Sequence, residues 1–539
     1  MITDVLIIGG GGAAARAAIE CGQKNVVIAS KGLFGKSGCT VMAEGGYNAV
    51  LNPEDSFEKH YSDTMKGGGY INNKKLVEVL IKNAPKEFKN LEKFGCIFDR
   101  SENAEFAQRP FGGQSFNRTC YSGDSTGHEM IAGLMEYLNK FERIKILEDT
   151  MAIKLIVNEV FENEKKLKKC FGAVFLDLLN GDIYPIYAKS TILATGGAGQ
   201  IYPITSNPKQ KVGDGFAIAY REGAELIDME MVQFHPTGML GTGILVTEAV
   251  RGEGGILYNK NKERFMKNYD PERMELSTRD VVAKAIYNEI QEGRGIDGAV
   301  YLDVTHLDPE IIKEKLETML SQFMLVGVDI KKEPMKVAPT AHHFMGGIKI
   351  NENCETSISG LYACGEVAGG IHGANRLGGN ALADTQVFGA IAGKNAFDNA
   401  ENEIDISKVY NSVEKCIEDL KNAFNDSNSG DNVYSLIDEL KKTMWDFVSI
   451  LRDEKGLTSA LEKIVEIKEK SVSINGIVDF SKKLELENMI LVSEIVINSA
   501  LLRKESRGAH FRNDYPKINE ECIGNFVASL DGISFVKLE

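Results

Sequence analysis

Apolar and glycine-rich blocks alternate at the start of the chain. Residues 4–10 predict a buried strand, 11–21 an alanine-rich helix and 25–30 a second strand, together a βαβ unit. Apolar runs at 173–179 and 183–187 flank Asn180-Gly181, which predicts a hairpin with a two-residue turn. Another strand, 190–194, ends in Thr195-Gly196-Gly197-Ala198-Gly199, whereas the Glu/Lys-rich run 162–169 reads as a solvated turn or helix face. From about 227 to 350 the pattern breaks into loops dense in Gly, His, Arg and Glu, with short helices such as 280–292, which predicts an inserted domain. From about 402 to 503 Gly and Pro thin out and apolar residues recur at three- and four-residue steps, the pattern of a helical bundle, interrupted at 425–430. The predicted fold is α/β: a Rossmann-like nucleotide-binding domain (1–226 and 351–401), an inserted α+β capping domain (227–350), a helical domain (402–505) and a C-terminal tail (506–539).

A chain of 539 residues exceeds one ordinary core, in keeping with several domains. The net charge of -15 argues against nucleic acid or an anionic membrane surface as partner. Met1 leads within three residues into an apolar strand, leaving no room for an export signal, and no run approaches a membrane span of roughly 18 apolar residues. Nine cysteines without a Cys-x-x-Cys pair disfavour a zinc ribbon or an iron–sulfur cluster held by this chain. They read as reduced thiols of a cytoplasmic protein, and no metal site is expected.

Gly9-x-Gly11, followed by Gly12, supplies a tight turn and close approach to a pyrophosphate at a helix N-terminus, with Ala14 at the third glycine position. The second strand ends in Ser30-Lys31, where an acidic residue would ordinarily meet a ribose. Thr195-Gly196-Gly197 and Gly360-Leu361-Tyr362-Ala363-Cys364-Gly365-Glu366 are the separated segments that wrap FAD rather than NAD. Five further segments carry cations and hydrogen-bond donors among glycines: Met231–Gly238, Thr247–Gly255, Glu275–Asp280, Pro339–Gly347 and His372–Gly378.

Together these motifs resemble the flavoprotein subunit family of succinate dehydrogenase and fumarate reductase, which includes L-aspartate oxidase, from residue 4 to about 516. Ser-Lys after the second strand is common in that family. The resemblance makes Glu366 and Asp384 similar to its acidic FAD contacts and adds Thr40, Gly45, Gly46, Asp214, Asn380 and Leu382 to the expected cofactor residues. Membrane-bound members attach the flavin covalently to a histidine; Cys39 stands in its place here, which implies dissociable FAD.

A C4 dicarboxylate needs fixed positive charge and donors at both ends, and arginine offers a planar fork matched to carboxylate. By resemblance, Arg376 and His342 grip one carboxylate and His235 and Thr247 the other, Arg279 donates a proton, and Glu248 with Arg251 returns it from solvent. Phe111 occupies a place where L-aspartate oxidases tend to carry an acidic residue suited to a substrate ammonium, and Glu505-Ser506-Arg507-Gly508-Ala509-His510 looks like the succinate/fumarate version. The missing flavin-linking histidine favours reduction of fumarate, with electrons from an iron–sulfur partner subunit. The thiol-driven fumarate reductases of methanogenic archaea, fed by coenzyme M and coenzyme B, look most similar. An L-aspartate oxidase and the flavoprotein subunit of a succinate dehydrogenase remain the alternatives.

Overall fold

The computed structural model describes residues 1–162, 165–425 and 429–538. The opening strand Ile2–Ile8 pairs in parallel with Val26–Ala29 on one side and Ile183–Leu193 on the other, in register Val5↔Val26 and Val5↔Ser190. Ile144–Leu147 and Leu361–Ala363 extend this parallel sheet, and Lys165–Asp177 and Thr150–Glu162 continue it as antiparallel strands. The helices Gly12–Glu20 and Asn380–Asn399 pack very closely, because a Cβ at Gly389 or Gly393 would meet Ala13 O at 2.9 Å or Ala17 O at 2.5 Å. Ala14, on the same first helix, is fully buried.

Several elements differ from the sequence pattern. The runs at 183–187 and 190–194 are one strand, Ile183–Leu193, and its turn is longer than Asn180-Gly181 alone: Asp177 Oδ1 accepts from the amides of Leu179 and Asn180. The run 162–169 is strand on both sides of residues 163–164, which lie outside the described residues. Its charges pair across the ribbon, Lys166 Nζ lying 2.6 Å from Glu159, so the two-residue strand period rather than a solvated helix organises them. The loop-like stretch 227–350 contains an antiparallel sheet of Val232–Met239, Met335–Phe344, Val300–Asp303 and Ile256–Tyr258. Polar and glycine residues inside those strands hide the alternation.

Helices Tyr410–Asn425, Val433–Val448, Glu454–Glu469 and Ile477–Leu502 occupy the expected helical region; of the interruption at 425–430, residues 426–428 lie outside the described residues. The segment expected as a tail supplies Gly524–Ser529 and Gly532–Lys537, which join Leu226–Ile227 in a second sheet. Among the described residues no helix is long and apolar enough to cross a membrane.

Candidate active site

A single cavity runs from the glycine-rich turn to a cluster of arginines and histidines. Its wall includes every expected cofactor residue except Ala14 and Asn380, and every expected substrate or catalytic residue except Arg251. Asn380 begins the helix Asn380–Asn399 but turns its side chain away, bonding Asn48, His60 and Thr64. Gly9 adopts φ +135°, and a Cβ there would lie 2.2 Å from Ala194 O, so only glycine admits this crossing of turn and strand. At the helix N-terminus Gly12 donates to Thr40 Oγ1 at 3.0 Å, tying Thr40 to the same turn.

Lys31 pairs with Asp214 at 2.6 Å and Glu485 at 2.8 Å. The carboxylates absent from the second strand therefore arrive from other elements. Burial alone would lower the Lys31 ammonium's pKa; Asp214 and Glu485 raise it. Lys211, which carried no sequence motif, forms an ion pair with Glu366 and approaches Cys39 Sγ to 3.2 Å. Burial, opposed by Lys211, keeps the Cys39 thiol above its ordinary pKa, as a thiol rather than a thiolate. Burial and then Asp124 push Glu44 up to about 8.

The cavity suits FAD on its own polar inventory. Thr195 Oγ1, Glu44 Oε2 and Asp384 Oδ1 lie on the wall, buried, without a hydrogen-bond partner among the described residues. Each such atom costs about 1–3 kcal/mol unless a ligand satisfies it. A long ligand that carries hydroxyl and ring N–H donors for the two carboxyl oxygens, and acceptors for the Thr195 hydroxyl, reaching from the glycine turn to Cys39, provides those partners.

At the far end, Val232–Met239 pairs antiparallel with Met335–Phe344 through two register shifts, bringing the rings of His235 and His342 to 5.4 Å. Arg279 begins the helix Arg279–Gln291; its Nε donates to Glu248 Oε2 at 3.0 Å, and the Gly112 amide donates to Glu248 Oε1 at 3.0 Å. Thr247 caps the helix Glu248–Gly252. Arg251 is buried off the cavity, 4.0 Å from Glu248, and donates to Glu275 O at 2.5 Å. Phe111, almost wholly buried, sets its ring beside Gly45 and Gly378.

Glu248 is the only carboxylate hydrogen-bonded to Arg251, Arg279 or Arg376 side chains among the described residues. Burial would raise its pKa, but Arg279 and Arg251 hold it below the usual carboxylate range. Burial first, then the arginines, keeps both histidines neutral far below their ordinary pKa. His235 Nε2 and Arg376 Nε remain buried without partners among the described residues. Such a chamber favours a small anion with more than one negative group.

Sequence reasoning missed Gln233 and Ser206. Ser206 Oγ lies 2.9 Å from His342 Nδ1, and Gln233 Oε1 accepts from Arg376 at 3.0 Å. Gln233 had a legible signal, two residues before His235 on one strand. Ser206 reaches His342 only through the tertiary fold.

A nucleotide cradle joined to a buried anion chamber defines a FAD-dependent oxidoreductase. A family model described as FAD binding domain matches residues 4–382, and one described as fumarate reductase flavoprotein C-term matches 437–529. The chain belongs to the fumarate reductase/succinate dehydrogenase flavoprotein family. It is 67% identical to an uncharacterized FAD-dependent oxidoreductase of Methanocaldococcus jannaschii, over 100% of this chain and 98% of that one. It is 51% identical to a subunit of the CoM/CoB fumarate reductase of Methanothermobacter marburgensis, over 96% and 95%. The solved structure of an E. coli quinol fumarate reductase variant superposes with a TM-score of 0.94 at 34% identity, covering 100% of this chain and 97% of that one.

Proposed function

We propose that the protein is the catalytic FAD subunit of a cytoplasmic fumarate reductase, with dissociable FAD, that forms succinate from fumarate. The observation that carries the reading is the buried chamber of Arg279, Arg376, His235 and His342, its cations outnumbering the carboxylates bonded to them, open to the FAD cavity. FAD held by the glycine turn, Lys31 and Glu366 would, in its reduced form, supply a hydride to one alkene carbon and be left oxidised. Arg376 and His342 hold one carboxylate, His235 and Thr247 the other, and their pull polarises the alkene. Arg279 gives a proton to the second carbon; Glu248, 3.0 Å from it, passes a proton back from the side of Arg251. Fumarate thus gains one hydride and one proton.

The 51% identity to a subunit of a CoM/CoB fumarate reductase supports thiols as the electron source, delivered through an iron–sulfur partner subunit. The test is anaerobic stopped-flow absorbance. Enzyme reduced without excess reductant is mixed with fumarate, and rapid return of the oxidised flavin band is expected. Flavin that stays reduced overturns the substrate assignment. Peroxide formation from L-aspartate in air would select an oxidase instead.

A further inference from the structure

Gln233 sits where two arginines of the chamber converge and is 1% exposed. Its Oε1 accepts from Arg376 Nη2 at 3.0 Å and, more weakly, from Arg279 Nη1 at 3.4 Å. Its Nε2 donates to Asn375 Oδ1 at 2.6 Å and Arg376 O at 2.9 Å. The amide orientation is forced, since a guanidinium offers only donors and cannot face the NH2 group. Asn375 in turn donates to Asp280 Oδ1 at 3.0 Å, beside Arg279. One neutral side chain therefore ties the start of the helix Arg279–Gln291 to the segment 375–376. A carboxylate in the same place would hold both guanidinium groups more strongly, but it would cancel charge that the chamber offers its ligand.

We propose that Gln233 is a positioning residue of the dicarboxylate site, whose neutral amide fixes Arg376 relative to Arg279 without cancelling the charge that Arg376 offers a ligand with two carboxylates. The inference rests on the fumarate reading above. Two substitutions separate its parts: Gln233→Glu keeps the length and the bonds accepted from both arginines, adds charge and loses the donation to Asn375 and Arg376 O, whereas Gln233→Met keeps the length and makes none of the four bonds. FAD-loaded wild type and both variants are titrated with succinate, read from the flavin absorbance. The dissociation constant is expected to rise about thirtyfold for Gln233→Glu and about fivefold for Gln233→Met, with flavin content and melting temperature unchanged. Equal weakening, or Gln233→Met weaker than Gln233→Glu, overturns the charge argument, because loss of structure alone makes no such distinction. Both variants within twofold of wild type overturn the proposal and leave the fumarate reading intact. Wild type that does not bind succinate removes that reading itself. Should Gln233→Glu fail to fold, unchanged binding by Gln233→Met alone overturns the positioning role.

Discussion

Two clusters of buried charge, both rich in arginine, differ in how completely they are satisfied. Around Arg503 all five N–H donors are used: Glu230, Glu505 and Asp228 accept at 2.6, 3.0 and 3.2 Å, and the carbonyls of Cys522 and Gly524 take the rest. Arg507 holds the other side of Glu505, and Asn525 and the Phe526 amide complete Asp228. In the chamber, by contrast, Arg376 Nε and His235 Nε2 have no hydrogen-bond partner among the described residues, and behind its wall two nitrogens of Arg251 have none either. An ionic knot in which every Arg503 donor is used, and only Glu230 Oε2 of these carboxylates lacks a hydrogen-bond partner among the described residues, is structure, joining the end of the helix Ile477–Leu502 to the turn before the strand that carries His235. An unsaturated one waits for a ligand.

Breaking the knot should have the largest effect on stability. Arg503→Met leaves buried Glu230 without its cation and takes a partner each from Asp228 and Glu505, so unfolding free energy in urea is expected to drop by about 3–5 kcal/mol. A loss below about 1 kcal/mol would mean that the knot holds nothing together. Arg279→Gln should do the opposite, leaving the denaturation midpoint in place while fumarate turnover falls about 10²–10⁴-fold. A variant that keeps most of its turnover would reassign the proton donor.

The same contrast explains what was legible in the sequence. Glycine turns and the donor-rich segments announce themselves, because close backbone approach and anion binding each demand particular residue types. Hence Gly9, Thr195-Gly196-Gly197, His235, Glu248, Arg279, His342 and Arg376 all reach one cavity wall. The sheet that carries His235 was not legible: it places Gln, His, Pro, Thr and Gly inside a wholly buried strand, with two register shifts. Asp228 and Glu230 gave no pattern at all, since their partner Arg503 lies more than 270 residues away. Lys211 is similar, meaningful only once folding brings it to Cys39 and Glu366.

Ligand binding sharpens the comparison further. A dicarboxylate should stabilise the chamber and leave the knot untouched, so succinate at 100 times its dissociation constant adds about 2.7 kcal/mol to stability. Arg376→Met should abolish that gain in a thermal-shift titration while retaining FAD. If the variant gained as much as wild type, succinate would be binding elsewhere.

The smallest expected effect is the one that reads the chamber's charge directly. His235 and His342 have folded-state pKa values far below the ordinary 6.5, through burial and the adjacent arginines. Below about pH 6.5 the unfolded chain therefore binds more protons than the folded one, and stability contributed by these histidines is lost as pH falls from there toward their folded values. A bound dianion reverses the balance, since its charge favours the imidazolium forms. Fumarate binding to the oxidised enzyme should then take up protons, and affinity should rise as pH falls from 8 to 6, by about tenfold per pH unit for each full proton taken up and by less for a fraction. Calorimetry in buffers of different ionisation enthalpy counts those protons, and His235→Gln should reduce the count. Equal affinity at both pH values would mean that the histidines stay neutral against the ligand, leaving the arginines alone to carry its charge.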